Sequence, residues 1–206
     1  MKFTKLQLGY GQMNCYILYD EITKETAIID PGYDFEIIND FIKENELIPK
    51  YILLTHSHGD HIGAVSQLKD KYQDLKLGIH EMEVKMLFNP ELNLSNMIQP
   101  KAISLKPDFT FKDKDTIFLG DEKIDIIHTP GHSPGGSCFK IKDNIFVGDT
   151  IFNMSIGRTD FYMGDHTVLI NSILNKILTE DKNTVLHPGH GPETKVGFEL
   201  ERNPYI

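Results

Sequence analysis

The chain contains few cysteines, and they do not form any framework pattern. Cys15 and Cys138 are its only two, and each lies in an apolar, strand-like run outside any C-x-x-C pair. Isolated cysteines in such runs are usually buried free thiols, because the thiol behaves as a small apolar group. We therefore expect two buried thiols and no disulfide bond.

Basic residues are also scarce. The sequence has 21 Lys and Arg against 30 Asp and Glu, which gives a formal net charge of −9, and the basic residues are scattered. Binding to a phosphate backbone depends on clustered basic side chains that displace counterions. The composition therefore argues against a nucleic-acid partner, and the same charge argues against an anionic membrane surface.

Long apolar runs are absent from the sequence. No run approaches the ~20 apolar residues of a membrane-spanning helix. The first ten residues, MKFTKLQLGY, lack the apolar centre and the small-residue cleavage site of a signal peptide. We therefore expect a cytoplasmic protein.

Strand and helix patterns alternate in the same way in the two halves of the chain. Short β-branched and aromatic runs at 15–19 and 26–29 predict strands, and the apolar spacing from Phe35 to Ile42 predicts a helix. The second half repeats this arrangement, with strands between 109 and 147 and an amphipathic helix over 167–178. We expect a single α+β domain over residues 1–206, with two β-sheets packed face to face and helices outside.

Further helices are predicted over 62–71, 80–88 and 193–202. Residues 89–107 show little periodicity, and we interpret them as a lid or binding loop, because long irregular segments in compact domains often have that role.

The clearest chemical signal is the run LLTHSHGDHIGA at 53–64. It places His56, His58, Asp60 and His61 directly after an apolar strand. Imidazole nitrogens and carboxylate oxygens are ligands that suit zinc, iron or manganese. Alternation along an extended strand would bring His56 and His58 together, so that one loop could supply ligands to two adjacent ions. The alternative is a solvated loop that happens to be rich in histidine.

Three later loops carry similar side chains. His132 lies in TPGHSPGG, Asp149 in FVGDT and His190 in HPGHGP, each after an apolar strand and beside glycine. A single residue of this kind is more often structural. Its recurrence in four loops of one chain predicts a metal centre.

Together these residues resemble the metallo-β-lactamase fold superfamily over nearly the whole chain. The resemblance includes the order THSHGDH, His132, Asp149 and His190, and the pattern T-x-x-x-x-E-L-x-x-N-P at 194–204. It implies an αβ/βα sandwich of two β-sheets flanked by helices, with the site at one edge of the sheets.

The resemblance also implies a cofactor of two divalent metal ions, with zinc favoured and iron or manganese as alternatives. The first ion would be held by His56, His58 and His132. The second would be held by Asp60, His61 and His190, and Asp149 would bridge the two. Two such ions would share a hydroxide near neutral pH, and Asp60 could also orient it in catalysis.

Within the superfamily, the segment SIGRTDF at 155–161 is similar to that of small glyoxalase II-like hydrolases. This similarity implies cleavage of a small-molecule thioester or ester, such as S-lactoylglutathione, by a metal-bound hydroxide. Class B β-lactamases typically lack a bridging aspartate here, so a lactamase is disfavoured. The nucleic-acid-processing branch carries a large insertion for which 206 residues leave no room.

Other reactions stay open at this point. Persulfide dioxygenases carry a similar GRTDF segment and use a single iron, and lactonases share the same seven ligands. Full-length glyoxalase II has a further C-terminal helical region that contacts glutathione. Because this sequence ends at Ile206, the thiol carrier is left open.

Arg158, within GRTDF, is the candidate substrate contact. It could pair with a substrate carboxylate, or form a structural pair with Asp160 or another acidic group. We interpret the remaining histidines as surface or loop residues without a role in the site; they are His80, His128, His166 and His187.

Overall fold

Two six-stranded sheets face each other in the computed structural model of the chain, which describes residues 1–9 and 12–206. The first sheet has its strands in sequence order: β1 (Lys2–Leu8), β2 (Met13–Tyr19), β3 (Glu25–Ile29), β4 (Ile48–Leu53), β5 (Lys76–His80) and β6 (Phe109–Phe111). The first three strands are antiparallel neighbours, whereas β3 to β6 run parallel.

The second sheet is built mainly from the second half of the chain. Its first four strands are β7 (Thr116–Leu119), β8 (Glu122–His128), β9 (Ser137–Ile141) and β10 (Asn144–Gly148). The strands β11 (Ile151–Phe152) and β12 (Ser155–Ile156) then form a separate small hairpin. The sheet is completed by β13 (Val185–Pro188) and β14 (Thr194–Lys195), in the order β14-β13-β10-β9-β8-β7.

Short helices connect the strands. They are α1 (Phe35–Glu44), α2 (Gly59–Ile62), α3 (Val65–Lys71), α4 (Val84–Phe88), α5 (Ser95–Ile98), α6 (His166–Ser172) and α7 (Val196–Arg202). A 3₁₀ turn at Glu81–Glu83 precedes α4, and a π-helical turn at Ile173–Ile177 continues α6. Among the residues that the structure describes, none of the helices has the length and apolarity needed to span a membrane.

Alternate side chains of each central strand pack in different layers of the core, one between the two sheets and one between a sheet and the helices. In β2, Tyr16 and Leu18 point between the two sheets, while Cys15 and Ile17 pack on the outer face of the first sheet against the helices. A strand buried on both faces must be apolar at successive positions, because its side chains alternate between the faces. This explains why β2 reads as a continuous apolar run.

The second sheet shows the same division. Phe139 and Phe146 fill the space between the sheets, whereas Cys138, Ile145 and Val147 pack against the helix beginning at His166. The predicted sandwich of two sheets flanked by helices is therefore confirmed. Cys15 and Cys138 are buried free thiols, as the sequence indicated.

Several element boundaries differ from the predictions. The predicted helix 62–71 begins earlier, at Gly59, and is broken between α2 and α3, where the Ala64 N–H donates to the Pro31 carbonyl. His80 ends a strand rather than beginning a helix. The segment 89–107 is not wholly irregular, because it contains α5, and the last helix starts only at Val196, after the short strand β14.

We expect Phe139→Ala to lower the free energy of unfolding by about 3–5 kcal/mol, because it opens a cavity between the two sheets. Phe118→Ala is the matched control, since Phe118 is 56% exposed, and it should cost less than about 1 kcal/mol. Urea unfolding of both variants measures the difference. Equal losses for the two variants would contradict the described core.

Candidate metal centre

Four loops at one edge of the sandwich bring the seven predicted residues together. His56, His58, Asp60 and His61 follow β4 and run into α2. The other three belong to the second sheet: His132 follows β8, Asp149 follows β10 and His190 follows β13. Because β10 and β13 are parallel neighbours, the residues that follow them emerge at the same edge.

Ring nitrogens of three histidines converge in the first part of the cluster. His58 Nδ1 lies 2.9 Å from His132 Nε2, which lies 3.3 Å from His56 Nε2. Nitrogens bound tetrahedrally at ~2.1 Å to one ion would lie ~3.4 Å apart, close to the second of these spacings. The three nitrogens lie within 4.8 Å of one another, so one cation could contact all of them.

The second part of the cluster combines imidazole and carboxylate. Asp60 Oδ2 lies 3.2 Å from His190 Nε2 and 3.9 Å from His61 Nε2. Asp149 lies between the two parts, with Oδ1 3.4 Å from His61 Nε2 and Oδ2 3.7 Å from His132 Nε2. One carboxylate thus faces both groups of nitrogens.

Hydrogen bonds at the far side of three rings determine which nitrogen is available. His132 Nδ1 donates to the Arg158 carbonyl at 2.7 Å, and His190 Nδ1 donates to the Gln12 carbonyl at 2.5 Å. A carbonyl oxygen can only accept, so Nδ1 carries the proton and the Nε2 lone pair faces the cluster. His61 Nδ1 is fixed in the same way by Asp30 Oδ2 at 2.9 Å.

Three buried polar atoms of the cluster lack a hydrogen-bond partner within residues 1–9 and 12–206. They are His58 Nε2, His61 Nε2 and Asp149 Oδ1. An unsatisfied buried polar atom costs about 1–3 kcal/mol. Coordination of divalent ions would satisfy His61 Nε2 and Asp149 Oδ1, and the mixture of imidazole and carboxylate donors suits zinc, iron or manganese. The residues present therefore fit the metal ions that the sequence predicted.

Burial lowers the pKa of some histidines of the cluster, and neighbouring carboxylates raise the pKa of others. Burial lowers the pKa of His56 and lowers that of His58 to about 3, which keeps both rings in the neutral form that binds metal. Burial also disfavours a charge on His61, but Asp149, Asp60 and Asp30 outweigh it and raise its pKa. The pKa of His190 is raised, against the effect of burial, by its hydrogen bond with Asp60 and by Asp149.

Two buried carboxylates position the ligand loop, which is the loop after β4 that carries His56 and His58. Sequence reasoning did not identify either carboxylate as part of the site. Asp30 accepts hydrogen bonds from the Thr55 N–H and hydroxyl, in addition to His61. Glu83 accepts from the Ser57 N–H and hydroxyl. Asp30 follows an apolar strand and precedes a proline, so the pattern that identified the ligands could have found it. Glu83 lies in a 3₁₀ turn and gives no such signal.

The loop of His190 is held from the first sheet. Asn14 Nδ2 donates to the carbonyls of Pro188 and Gly191, and the Tyr16 hydroxyl donates to the Pro188 carbonyl. Close packing also explains the glycine before the ligand. A Cβ atom at Gly189 would lie 2.5 Å from Asp149 Oδ1, so a side chain there would displace the carboxylate.

Arg158 lines a cleft that opens onto the cluster. The cleft has a volume of about 470 Å³. Its Nε and Nη2 each donate to Asp160 at 2.7 Å, and its guanidinium lies 4.1 Å from the centre of the Phe161 ring. The pairing with Asp160 that the sequence allowed is therefore present. A substrate contact by Arg158 stays a prediction.

The interpretation of the remaining histidines was partly wrong. His80 and His187 are buried, each 3% exposed, because His80 stacks on His128 at 4.0 Å and His187 stacks on Phe146 at 4.9 Å. Burial lowers the pKa of both His80 and His187 to about 4. Their packing role was missed because stacking between distant strands leaves no local pattern in the sequence. His166 is exposed, as expected.

Comparison with known proteins agrees with this geometry. The profile of the family described as "Metallo-beta-lactamase superfamily" matches residues 8–190. Hydroxyacylglutathione hydrolase GloC of Haemophilus influenzae is 38% identical, over 95% of this chain and 93% of its own length.

Two solved structures are similar to this chain over nearly its whole length. The crystal structure of BLEG-1, described as a B3 metallo-beta-lactamase, has a TM-score of 0.92 and 39% identity, covering 99% of each chain. The structure of TTHA1623 in a di-iron-bound form has a TM-score of 0.84 and 32% identity, covering 98% of this chain and 100% of that one.

We expect alanine at His56, His58 or Asp149 to remove most of the bound metal, because each substitution deletes a donor at the centre of the cluster. Metal content by plasma emission measures the loss. His166→Ala is the matched control, since this exposed histidine lies outside the cluster, and it should bind as much metal as the wild type. Full metal content in Asp149→Ala would contradict the role of Asp149 between the two groups.

We also expect metal affinity to weaken as the pH falls from 8 to 6. His61 and His190 have raised pKa values, so protons compete with metal at these rings until the pH exceeds those values. The apparent Kd should increase by up to about tenfold per pH unit for each proton displaced. Competition titrations with a chelator at several pH values measure this slope. A Kd that is independent of pH would contradict proton displacement from these rings.

Proposed function

The chain belongs to the metallo-beta-lactamase superfamily, and we propose that it is a binuclear metal-dependent hydrolase that cleaves a thioester such as S-lactoylglutathione. The observation that carries the proposal is the convergence of six side-chain donors around Asp149, where buried atoms have no hydrogen-bond partner in the part of the chain that the structure describes. The similarity to GloC, whose name is hydroxyacylglutathione hydrolase, supports a thioester as the substrate.

The two groups of donors would hold two ions. His56, His58 and His132 form the first group, and Asp60, His61 and His190 form the second. Asp149 would contribute one oxygen to each side. Bound divalent ions supply Lewis acidity, which polarises a carbonyl group and lowers the pKa of a water molecule. Zinc is our first choice of metal, and iron is the alternative because a relative has been solved in a di-iron form.

Asp60 is the residue that we assign to the attacking water. Its carboxylate lies on the wall of the cleft, and its pKa is lowered because His61 and the hydrogen bond from His190 outweigh burial. The lowered pKa keeps the carboxylate ionised, and one oxygen faces His190, so the other can accept a hydrogen bond from the water and orient it. The water oxygen then bonds to the carbonyl carbon and the carbon–sulfur bond breaks. The products are a carboxylic acid and a thiol, which share the protons of the water.

Two other reactions are alternatives. A single iron held by His56, His132 and Asp149 or a similar subset would suit a persulfide dioxygenase, which consumes oxygen. Hydrolysis of an ester or lactone would use the same donors. A β-lactam is a further candidate because of the similarity to BLEG-1, although Asp149 stands where class B β-lactamases typically lack a bridging aspartate. Both reactions are distinguishable from thioester hydrolysis by their products.

We expect protein purified without added metal to contain about two ions per chain and to hydrolyse S-lactoylglutathione. Metal content by plasma emission and loss of thioester absorbance measure the two quantities, with His56→Ala as the inactive control. One iron per chain with oxygen uptake on glutathione persulfide would favour the dioxygenase instead. Cleavage of a chromogenic β-lactam without thioester cleavage would favour the lactamase.

If Arg158 contacts a carboxylate of S-lactoylglutathione, Arg158→Met should raise KM several-fold with little change in kcat, because only substrate binding loses a charge-assisted hydrogen bond. Asp160→Asn is the matched variant. It releases the guanidinium from its ion pair, so it should leave KM unchanged or lower it. A neutral thioester should show neither effect. The same fold-change in KM for both substrates in Arg158→Met, relative to the wild type, would mean that Arg158 does not bind the substrate carboxylate and that its pair with Asp160 is structural.

A further inference from the structure

We propose that the cleft over the metal cluster binds an apolar acyl chain, so that the enzyme prefers substrates with acyl groups longer than acetyl. This inference rests on the proposed hydrolase function and specifies its substrate class.

The walls of the cleft beside the metal ligands are mainly apolar, and Ser155 and Arg158 are their polar residues. Their apolar residues are Leu94, Ile98, Phe152, Ile156 and Phe161. The Phe161 ring centre is 5.2 Å from that of His58, and the Phe152 ring centre is 6.2 Å from that of His190. Apolar surface therefore extends from the rim, where Ile98 is 44% exposed, down to the groups of the reacting centre. Exposed apolar surface in a concave site is typical of binding an apolar group.

Leu94 is held in this wall against its own backbone preference. Its φ of +64° lies in the left-handed region, which a bulky L-residue rarely adopts. Both of its neighbours are fully buried and fixed: Asn93 Oδ1 accepts from the Ser95 N–H, and Ser95 Oγ accepts from the Ile103 N–H. The Asn93 carbonyl also accepts from Gly59 N–H at 2.7 Å, at the start of α2. These bonds hold the left-handed backbone of Leu94 and so keep its side chain in the wall of the cleft.

Residues of the pattern at 194–204 hold the part of the cleft wall that carries Phe152 and Ile156. Glu199 is fully buried and accepts hydrogen bonds from Thr194 Oγ1, from Asn203 Nδ2 and from the Met154 N–H in the β11–β12 hairpin. Asn203 Nδ2 also donates to the Ser155 carbonyl of that hairpin at 3.1 Å. These bonds fix the hairpin that carries Phe152 and Ile156. The T-x-x-x-x-E-L-x-x-N-P pattern therefore supports the substrate wall.

The charge at the entrance favours a neutral group. Arg158 is the single Lys or Arg among the residues described along the cleft, and Asp160 forms a bidentate ion pair with it. Its guanidinium covers the Phe161 ring and extends the apolar wall, since a stacked guanidinium is weakly hydrated. The entrance therefore carries little net charge from Arg158, and the walls offer apolar contact to an acyl chain.

The test uses thioesters of the neutral thiol N-acetylcysteamine with acetyl, butanoyl, hexanoyl and octanoyl groups. For the metal-loaded enzyme, kcat/KM should rise by about fourfold for each methylene that the walls bury, and by about tenfold or more from acetyl to hexanoyl. The corresponding ketones, in which a methylene replaces sulfur, cannot be hydrolysed. Their Kd values, measured by calorimetry, should fall along the same series.

Two variants test the walls. Leu94→Asn places a residue that tolerates a positive φ at the strained position, so the fold is retained while apolar surface is lost. Ile156→Thr keeps a β-branched residue in the hairpin. Each should lower the hexanoyl-to-acetyl ratio of kcat/KM by about fivefold or more. Leu174→Asn is the matched control, on the outer helical segment at 40% exposure, and should leave the ratio unchanged.

The outcomes separate this inference from the proposed function. Hydrolysis that is independent of chain length, with equally flat ketone binding, would overturn the inference and leave the hydrolase in place. Chain-length-dependent ketone binding without hydrolysis of any thioester would overturn the proposed function and support the apolar cleft. Neither hydrolysis nor ketone binding would overturn both.

Discussion

The ligand loop that follows β4 depends on two buried carboxylates that do not face the metal cluster. Asp30 ties Thr55 and His61 to the end of the neighbouring strand, and Glu83 binds Ser57 on one side and the Gly135 N–H of the second half of the chain on the other. A carboxylate enclosed by several donors forms charge-assisted bonds, which are stronger and more directional than neutral ones. Glu83 therefore fixes the position of the His58 loop relative to the His132 loop, across the two sheets.

The rest of the site is built on this frame. Once the two halves are aligned, three of the rings are oriented by a bond at the far nitrogen: His61 by Asp30, His132 by the Arg158 carbonyl and His190 by the Gln12 carbonyl. The free nitrogens then converge without side-chain rearrangement. Such a preorganised arrangement favours a hydrolytic centre, because little reorganisation is needed when charge develops on the substrate.

The sequence predicted the sandwich and the seven clustered residues because both leave local signals: period-two alternation in β2, and histidine or aspartate beside glycine at strand ends. It did not predict Glu83, the stacking of His80 on His128 or the strained backbone at Leu94. These features arise from contacts between residues far apart in the chain. The break between α2 and α3 has the same origin, since Ala64 bonds to the Pro31 carbonyl rather than within a continuous helix.

The distribution of the donors along the chain has a consequence for protein lifetime. They extend from His56 to His190, and every group of them includes side chains from both sheets or from well-separated loops. Ions bound there would join the two halves as a cross-link does, and a ligand that binds only the folded state adds its binding free energy to that of folding. Scarcity of metal would therefore raise the fraction of open chains exposed to proteases, so the amount of this protein in a cell would follow its metal supply.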